Sequence, residues 1–304
     1  MRKLAVFSII VLGVFGLGAQ AGAAITLGSN GYWSSTFACG EWASTAGLSC
    51  DGWEASDISW VCSSDSPAKV TQITSAANFP GGAGGGGYRK WLSSTRNGDS
   101  TGLVVRFPTP QREFWLRWYE KFASGQTWAG IKEHKTVYAF TDSSVVANVN
   151  FPQGDNDIQL QPRNTMGSPD LAYTGVGWQS LYGGLSADGT WHYFEVHFSL
   201  GTNGQSDGVF QMWVDGVNRV NQAGLDWYNG GAASPTGWAY IVLGSNHNVS
   251  ALPGCTPILY DDVAAAVPGY SGFRRDAQGR SMIGGLAAPG DTLAPTAPTN
   301  LRVQ

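Results

Sequence analysis

Between Glu113 and Phe122 the chain alternates without a break. Phe114, Leu116, Trp118, Glu120 and Phe122 fall on one side, and Glu113, Trp115, Arg117, Tyr119 and Lys121 on the other. Successive side chains point to opposite faces in an extended strand, so this stretch is a strand with one packed face. The pattern recurs. In 191–200 the packed side is Phe194, Val196, Phe198 and Leu200, with His192 in the same phase. Its opposite is Trp191, Tyr193, Glu195, His197 and Ser199. In 209–215 Phe210, Met212 and Val214 face inward and Val209, Gln211, Trp213 and Asp215 outward. In 157–161 Ile158 and Leu160 face inward, leaving Asp157, Gln159 and Gln161. Further strand-like runs lie at 102–107, 135–140, 145–151, 238–244 and 257–263. Turn pairs such as Asp188-Gly189, Asn203-Gly204, Asp207-Gly208 and Asp215-Gly216 separate many of them. No amphipathic pattern longer than two helical turns intervenes. Only 13% of residues are charged while 42 are glycine, which excludes a helical bundle or coiled coil. The expectation is an all-β jelly-roll sandwich of two antiparallel sheets.

The two ends differ from this middle. Arg2 and Lys3 precede the apolar stretch Leu4–Leu17, and small-x-small sites follow at Ala19–Ala21 and Ala21–Ala23. This is the pattern of a secretory signal peptide over 1–23. The stretch is too short to span a bilayer comfortably, and no other segment is long and apolar enough to do so. The mature chain is therefore expected to be exported, with no membrane attachment after cleavage. Residues 24–267 are read as one domain. From 268 onward Pro268, Pro289, Pro295 and Pro298 stand among Gly and Ala, and 268–304 is read as a linker or tail. Its end, Asp291–Gln304, resembles the lead-in and opening of a fibronectin type III module, which implies such a module as a following partner.

Four cysteines remain in the mature chain: Cys39, Cys50, Cys62 and Cys255. No two are spaced as zinc ligands. An even number in an exported protein points to two disulfides. Of the three connectivities, Cys39–Cys50 with Cys62–Cys255 is the expected one.

The outward faces show where chemistry is expected. They combine rings with Arg, Lys, His, Gln and Glu, where an ordinary solvated face is mostly Thr, Ser, Lys and Glu. Rings stack on the apolar faces of sugars while polar groups bond the hydroxyls, so the face suits a polysaccharide groove. The plain alternative is that the rings pack beneath long loops. Residues 89–135 carry a net charge of +5, in a chain whose formal net charge is −4. That overall charge excludes a generally basic nucleic-acid binder, whereas a basic segment suits an anionic glycan. The Pro80–Gly87 run has no Lys-Ser/Thr after it and no strand–helix frame, so it is no phosphate loop. A loop over a site, or a close approach of backbone, fits it better.

Three stretches resemble the concanavalin A-like lectin/glucanase superfamily and, within it, its polysaccharide-lyase-like members. They are Gly84–Arg89 with Phe114–Phe122, Trp128 and Lys132 or Lys135; Trp191–His197 leading to Asp207–Gly216; and Tyr260–Val263. Together they cover about 85–265. The resemblance implies a lyase acting on a uronate-containing glycan. The short catalytic signatures of alginate-lyase families are not matched. Nor is the Glu-x-Asp-x-x-Glu string of laminarinase-like hydrolases, which would supply the carboxylate pair of that chemistry. β-Elimination needs a group that neutralises the uronate carboxylate, a base for the C5 proton, and an acid for the leaving oxygen. The outward face offers His197, Tyr119, Tyr193, Arg117 and Gln211 for these tasks. Arg89, Trp115, Lys121, Lys135, Gln159, Gln161, Trp191, Glu195 and Trp213 are the expected substrate contacts. No catalytic cofactor is implied. Asp155, Asp157, Asp261 and Asp262 are the oxygen ligands from which a structural calcium would be built. The competing function is a non-catalytic carbohydrate-binding module, with a glycoside hydrolase behind both.

Overall fold

A computed structural model describes residues 24–39, 42–43, 49–51, 53–56, 61–62, 69–70, 72–82, 84–92, 102–125, 131–143, 146–152, 159–162, 172–173, 188–228, 235–244, 247–249 and 255–286. The expected leader and the fibronectin-like end lie outside these residues. Strands are numbered in chain order. The first sheet runs β17 (Val217–Leu225), β16 (Gly208–Val214), β15 (Trp191–Ser199), β10 (Glu113–Phe122), β20 (Thr256–Ala266), β8 (Gly87–Leu92), β7 (Gln72–Thr74), β2 (Trp42–Ala43). In it β1 (Tyr32–Ser35) pairs with β20. The second runs β14 (Ala172–Tyr173), β13 (Gln159–Pro162), β12 (Val146–Pro152), β11 (Ile131–Thr141), β18 (Trp238–Leu243), β9 (Gly102–Gln111), β4 (Trp53–Ser56), β3 (Ser49–Cys50). There β19 (His247–Val249) pairs with β11. Two small ribbons join β5 (Val61–Cys62) to β6 (Lys69–Val70), and β21 (Arg274–Arg275) to β22 (Ser281–Met282). All pairings are antiparallel, and the helical turn Ser75–Ala77 is the one helical element among the described residues. The chain is a jelly-roll sandwich.

The core lies between the sheets and is built from the apolar side of each alternation. Phe114, Leu116, Trp118, Phe194, Val196, Phe198, Phe210 and Met212 of the first sheet are buried. So are Leu103, Val105, Phe107, Val137, Ala139, Trp238, Ile241 and Leu243 of the second. Rings cross the gap: Phe114 meets Trp238 edge-on at 6.2 Å and Phe107 at 5.5 Å. Such contacts add to area burial because ring edges are positive and faces negative. The β16–β17 hairpin turns through Asp215 (φ 50°) and Gly216 (φ 80°), the double positive φ that suits a right-twisted ribbon.

The glycine run Pro80–Gly87 is a backbone-to-backbone contact. A Cβ on Gly84 would lie 1.7 Å from the Thr36 carbonyl oxygen, and one on Gly87 2.0 Å from that of Ala77. No other residue fits at either position. Cys39 and Cys255 each take part in a disulfide. The side chains of Cys50 and Cys62 lie outside the described residues.

One boundary changes. Residues 268–286, read from composition as the start of a tail, pack against the first sheet. Met282 and Ile283 are each 5% exposed, and Ile283 joins Trp115 and Ala266 in a cluster flanked by Tyr32, Tyr270 and Phe273. The domain therefore extends at least to residue 286.

Candidate functional site

The outward face of the first sheet is occupied by this C-terminal strap. Trp213 Nε1 donates to Asp276 Oδ2 (2.9 Å), and Trp115 Nε1 to the Ser281 carbonyl (3.0 Å). Arg117 donates to the carbonyls of Gly284 (3.1 Å) and Asp262 (3.3 Å). The Glu195 carboxylate accepts the N–H groups of Ile283 (2.6 Å) and Gly284 (2.9 Å), and the Tyr119 hydroxyl accepts that of Leu286 (2.7 Å). Tyr193 meets the backbone of Gly285. The electrostatics follow from this cover. Burial raises the Tyr119 phenol, lifts Tyr193 to about 12, and lifts Glu195 to about 7 against two backbone hydrogen bonds that pull it down.

The expected site on this face is corrected accordingly. Trp115, Arg117, Tyr119, Glu195 and Trp213 are buried and bonded to the chain itself. His197 is 7% exposed, stacked under Trp115 at 4.2 Å and 5°, and bridged between Glu113 Oε1 (2.7 Å) and Gln211 Oε1 (2.9 Å). Gln211 passes its amide on to Asn221. Arg89 lies over Trp91. Trp191 meets Phe79 edge-on at 5.8 Å, and Lys121 opposite it is half-buried. The rings are a packing surface for a loop, the plain alternative of the sequence reading. Gln159, Gln161 and Lys135 do not converge with them, because 131–162 builds the other sheet.

The second sheet carries the corresponding face on its outer side. Tyr138, Phe140, Arg106, Tyr240 and Val242 are half-exposed there, back to back with the buried Val137, Ala139, Val105 and Ile241. Register extends the face outward through neighbouring strands. Lys135 on β11 pairs with Asn150 on β12, Asn150 with Gln159 on β13, and Gln159 with Tyr173 on β14. Those four residues stand in one row across four strands. One step along, Val242, Tyr138, Asn148 and Gln161 form the next row. A bulge between Lys135 and Val137 brings Lys135 into phase with Tyr138. Asn148 and Asn150 were readable from the alternation of 145–151. Tyr173 was not, because a two-residue strand has no period.

The residues proposed for calcium divide. Asp155 and Asp157 lie outside the described residues. Asp261 spends its oxygens on the N–H groups of Phe79 (2.6 Å) and Asp262 (2.7 Å), and burial pushes it up to about 8. Asp262 Oδ2 is buried without a hydrogen-bond partner.

No protein-family model matches the chain, and no curated protein matches it. Solved structures do. The alginate lyase Aly36B, in complex with alginate tetrasaccharide, is 16% identical over 78% of this chain and 97% of its own, with a TM-score of 0.49. The endo-β-1,4-glucuronan lyase of the fungus Trichoderma reesei is 11% identical over 68% and 90%, with a TM-score of 0.40. The marine alginate lyase of Aplysia kurodai is 9% identical over 65% and 87%, also at 0.40. These structural neighbours are polysaccharide lyases.

Proposed function

We propose that the chain cleaves a uronate-containing polysaccharide by β-elimination on the outer face of its second sheet. The row Lys135–Asn150–Gln159–Tyr173 carries this reading. It places, by backbone register, four residue types that the chemistry needs at one level of the sheet. Two amides suit the uronate carboxylate, whose neutralisation makes the C5 proton acidic. A lysine and a tyrosine serve proton transfer. In the step, base removes the C5 proton, the C4–O bond breaks, a C4=C5 double bond forms, and the leaving oxygen takes a proton. The four positions come from four separate strands, so the row exists only in the folded sheet. The export expected from the N-terminal sequence would suit an extracellular glycan as substrate.

The test is incubation with alginate, glucuronan and pectate, reading the ultraviolet absorbance of the unsaturated product. Lys135→Ala and Tyr173→Phe are expected to lower turnover by about 10²–10⁴-fold with the thermal midpoint unchanged. Binding of a polymer without absorbance selects the non-catalytic module instead. Activity that survives Lys135→Ala and falls with His197→Ala at unchanged stability moves the chemistry back to the first sheet.

A further inference from the structure

Where β15 begins, at one end of the first sheet, His192 stands between two turns. Its Nδ1 lies 2.6 Å from Asp215 Oδ2, in the turn that joins β16 to β17. Its Nε2 lies 3.0 Å from Asp188 Oδ2 and 2.9 Å from Thr190 Oγ1, in the turn that leads into β15. Each turn is built on its own carboxylate. Asp188 Oδ1 accepts the Thr190 N–H (2.7 Å), and Asp215 Oδ1 accepts the Tyr193 N–H (3.0 Å). Asp215 and Gly189 both hold positive φ, 50° and 70°. A Cβ on Gly189 would lie 2.8 Å from Ser124 Cβ, so the first turn sits against the chain leaving β10. On its other flank His192 faces Glu120 in register, and Glu120 Oε2 accepts the Trp118 indole N–H.

A carboxylate only accepts, so a ring held by one carboxylate at each nitrogen carries a hydrogen on both. The Asp215 bond, opposed by burial and joined by the Asp188 bond, raises the imidazole above its ordinary 6.5. Burial works to raise the Asp188 carboxyl, but the Thr190 and His192 bonds overcome it and hold the group below its usual range, ionised beside the ring. The three partners answer differently when a proton leaves. Nδ1 makes the shorter bond and keeps its hydrogen for Asp215. Nε2 becomes an acceptor, and the Thr190 hydroxyl can turn its own hydrogen toward it. Asp188 has no hydrogen to offer and meets a lone pair. We infer that His192 is a proton-operated clamp between the two turns, whose deprotonation releases the Asp188 turn while the Asp215 turn stays held. The charge on one ring then sets how firmly the chain arriving from β14 is tied to the first sheet. The stability this adds is fully present below the unfolded imidazole value of 6.5 and is lost as pH rises through the higher folded one.

The experiment is nuclear magnetic resonance of the isotope-labelled full chain, with His192→Gln to assign the ring. At about pH 6 both His192 nitrogens should carry hydrogen, and one should lose it only above the range of an ordinary histidine. The Thr190 amide reports the Asp188 turn and the Tyr193 amide the Asp215 turn. Through the ring's titration the ratio of Thr190 to Tyr193 amide exchange should rise about two- to fivefold, the worth of a partly exposed ion pair. Taking the ratio cancels the dependence on hydroxide that both amides share. Asp188→Asn can accept from the charged ring and donate to the neutral one, so it should flatten the ratio. Asp215→Asn should lower the pH at which the ring titrates. A ring with a single hydrogen at about pH 6 overturns the clamp. So does a ratio that stays flat, or falls, as native His192 titrates. If Asp215→Asn does not fold, the native protein and Asp188→Asn decide between these outcomes.

Discussion

The Glu195 carboxylate is wholly buried, yet it accepts two backbone N–H groups of the strap. Its folded pKa of about 7 lies above the ordinary carboxylate value, so the folded protein holds a proton there that the unfolded chain releases. The associated stability is fully present below about pH 4.5, is lost as pH rises through about 7, and is absent above. Glu195→Gln removes this titration. The difference in thermal midpoint between native protein and variant should therefore grow as pH falls from 7 to 4.5, within a ceiling of about 3 kcal/mol. A difference that stays constant across that window refutes the assignment. Arg117 makes the neighbouring case. Arg117→Met leaves the carbonyls of Gly284 and Asp262 short of a donor inside the protein. It should cost about 2–3 kcal/mol in denaturant unfolding, with no dependence on any glycan.

At the scale of elements, β10, β15 and β16 were readable to within a residue because their alternation is strict and their packed side is aromatic. The strand β17 was missed. Its sequence Val217–Leu225 is polar on both sides, with exposed and half-exposed residues along an edge, and an edge strand has little apolar pattern to show. The strap was misread for a different reason. Pro268, Gly269, Gly272 and Gly279 look like linker, but Phe273, Met282 and Ile283 are spaced to meet the first sheet. Removing 268–286 uncovers Trp115, Tyr119, Tyr193 and Trp213 together. An exposed aromatic patch of this kind drives association. The truncated protein is expected to lose its cooperative thermal transition or to elute as aggregates. A monomer with the native midpoint would show that the strap is ornamental.

For the whole molecule, alternation assigns each residue to a side of its own strand, but says nothing about which sheet a strand joins or what covers it. That is why the chemistry read from Gln159, Gln161 and Lys135 was merged with that of Arg117 and His197, although a core separates them. The two outer faces have opposite fates. One is bonded to the chain's own backbone, and the other presents Arg106, Tyr138, Phe140 and Tyr240 half-exposed. Amide exchange with a bound hexasaccharide should protect β11, β12 and β18 and leave β15 and β16 unchanged. The reverse footprint would relocate the groove. The strap also gives the molecule a mechanical character. Its anchors form a file, from Asp276 on Trp213 through Ser281 on Trp115 to Leu286 on Tyr119. Tension applied beyond residue 286 loads the last anchor first and then each in turn, as in peeling tape, and never all of them together. A pulling experiment should register an early, low-force extension of about 65 Å as residues 268–286 lift away. The sandwich would remain folded behind it, and the second sheet's face would stay in register while the strap acts as a shock absorber.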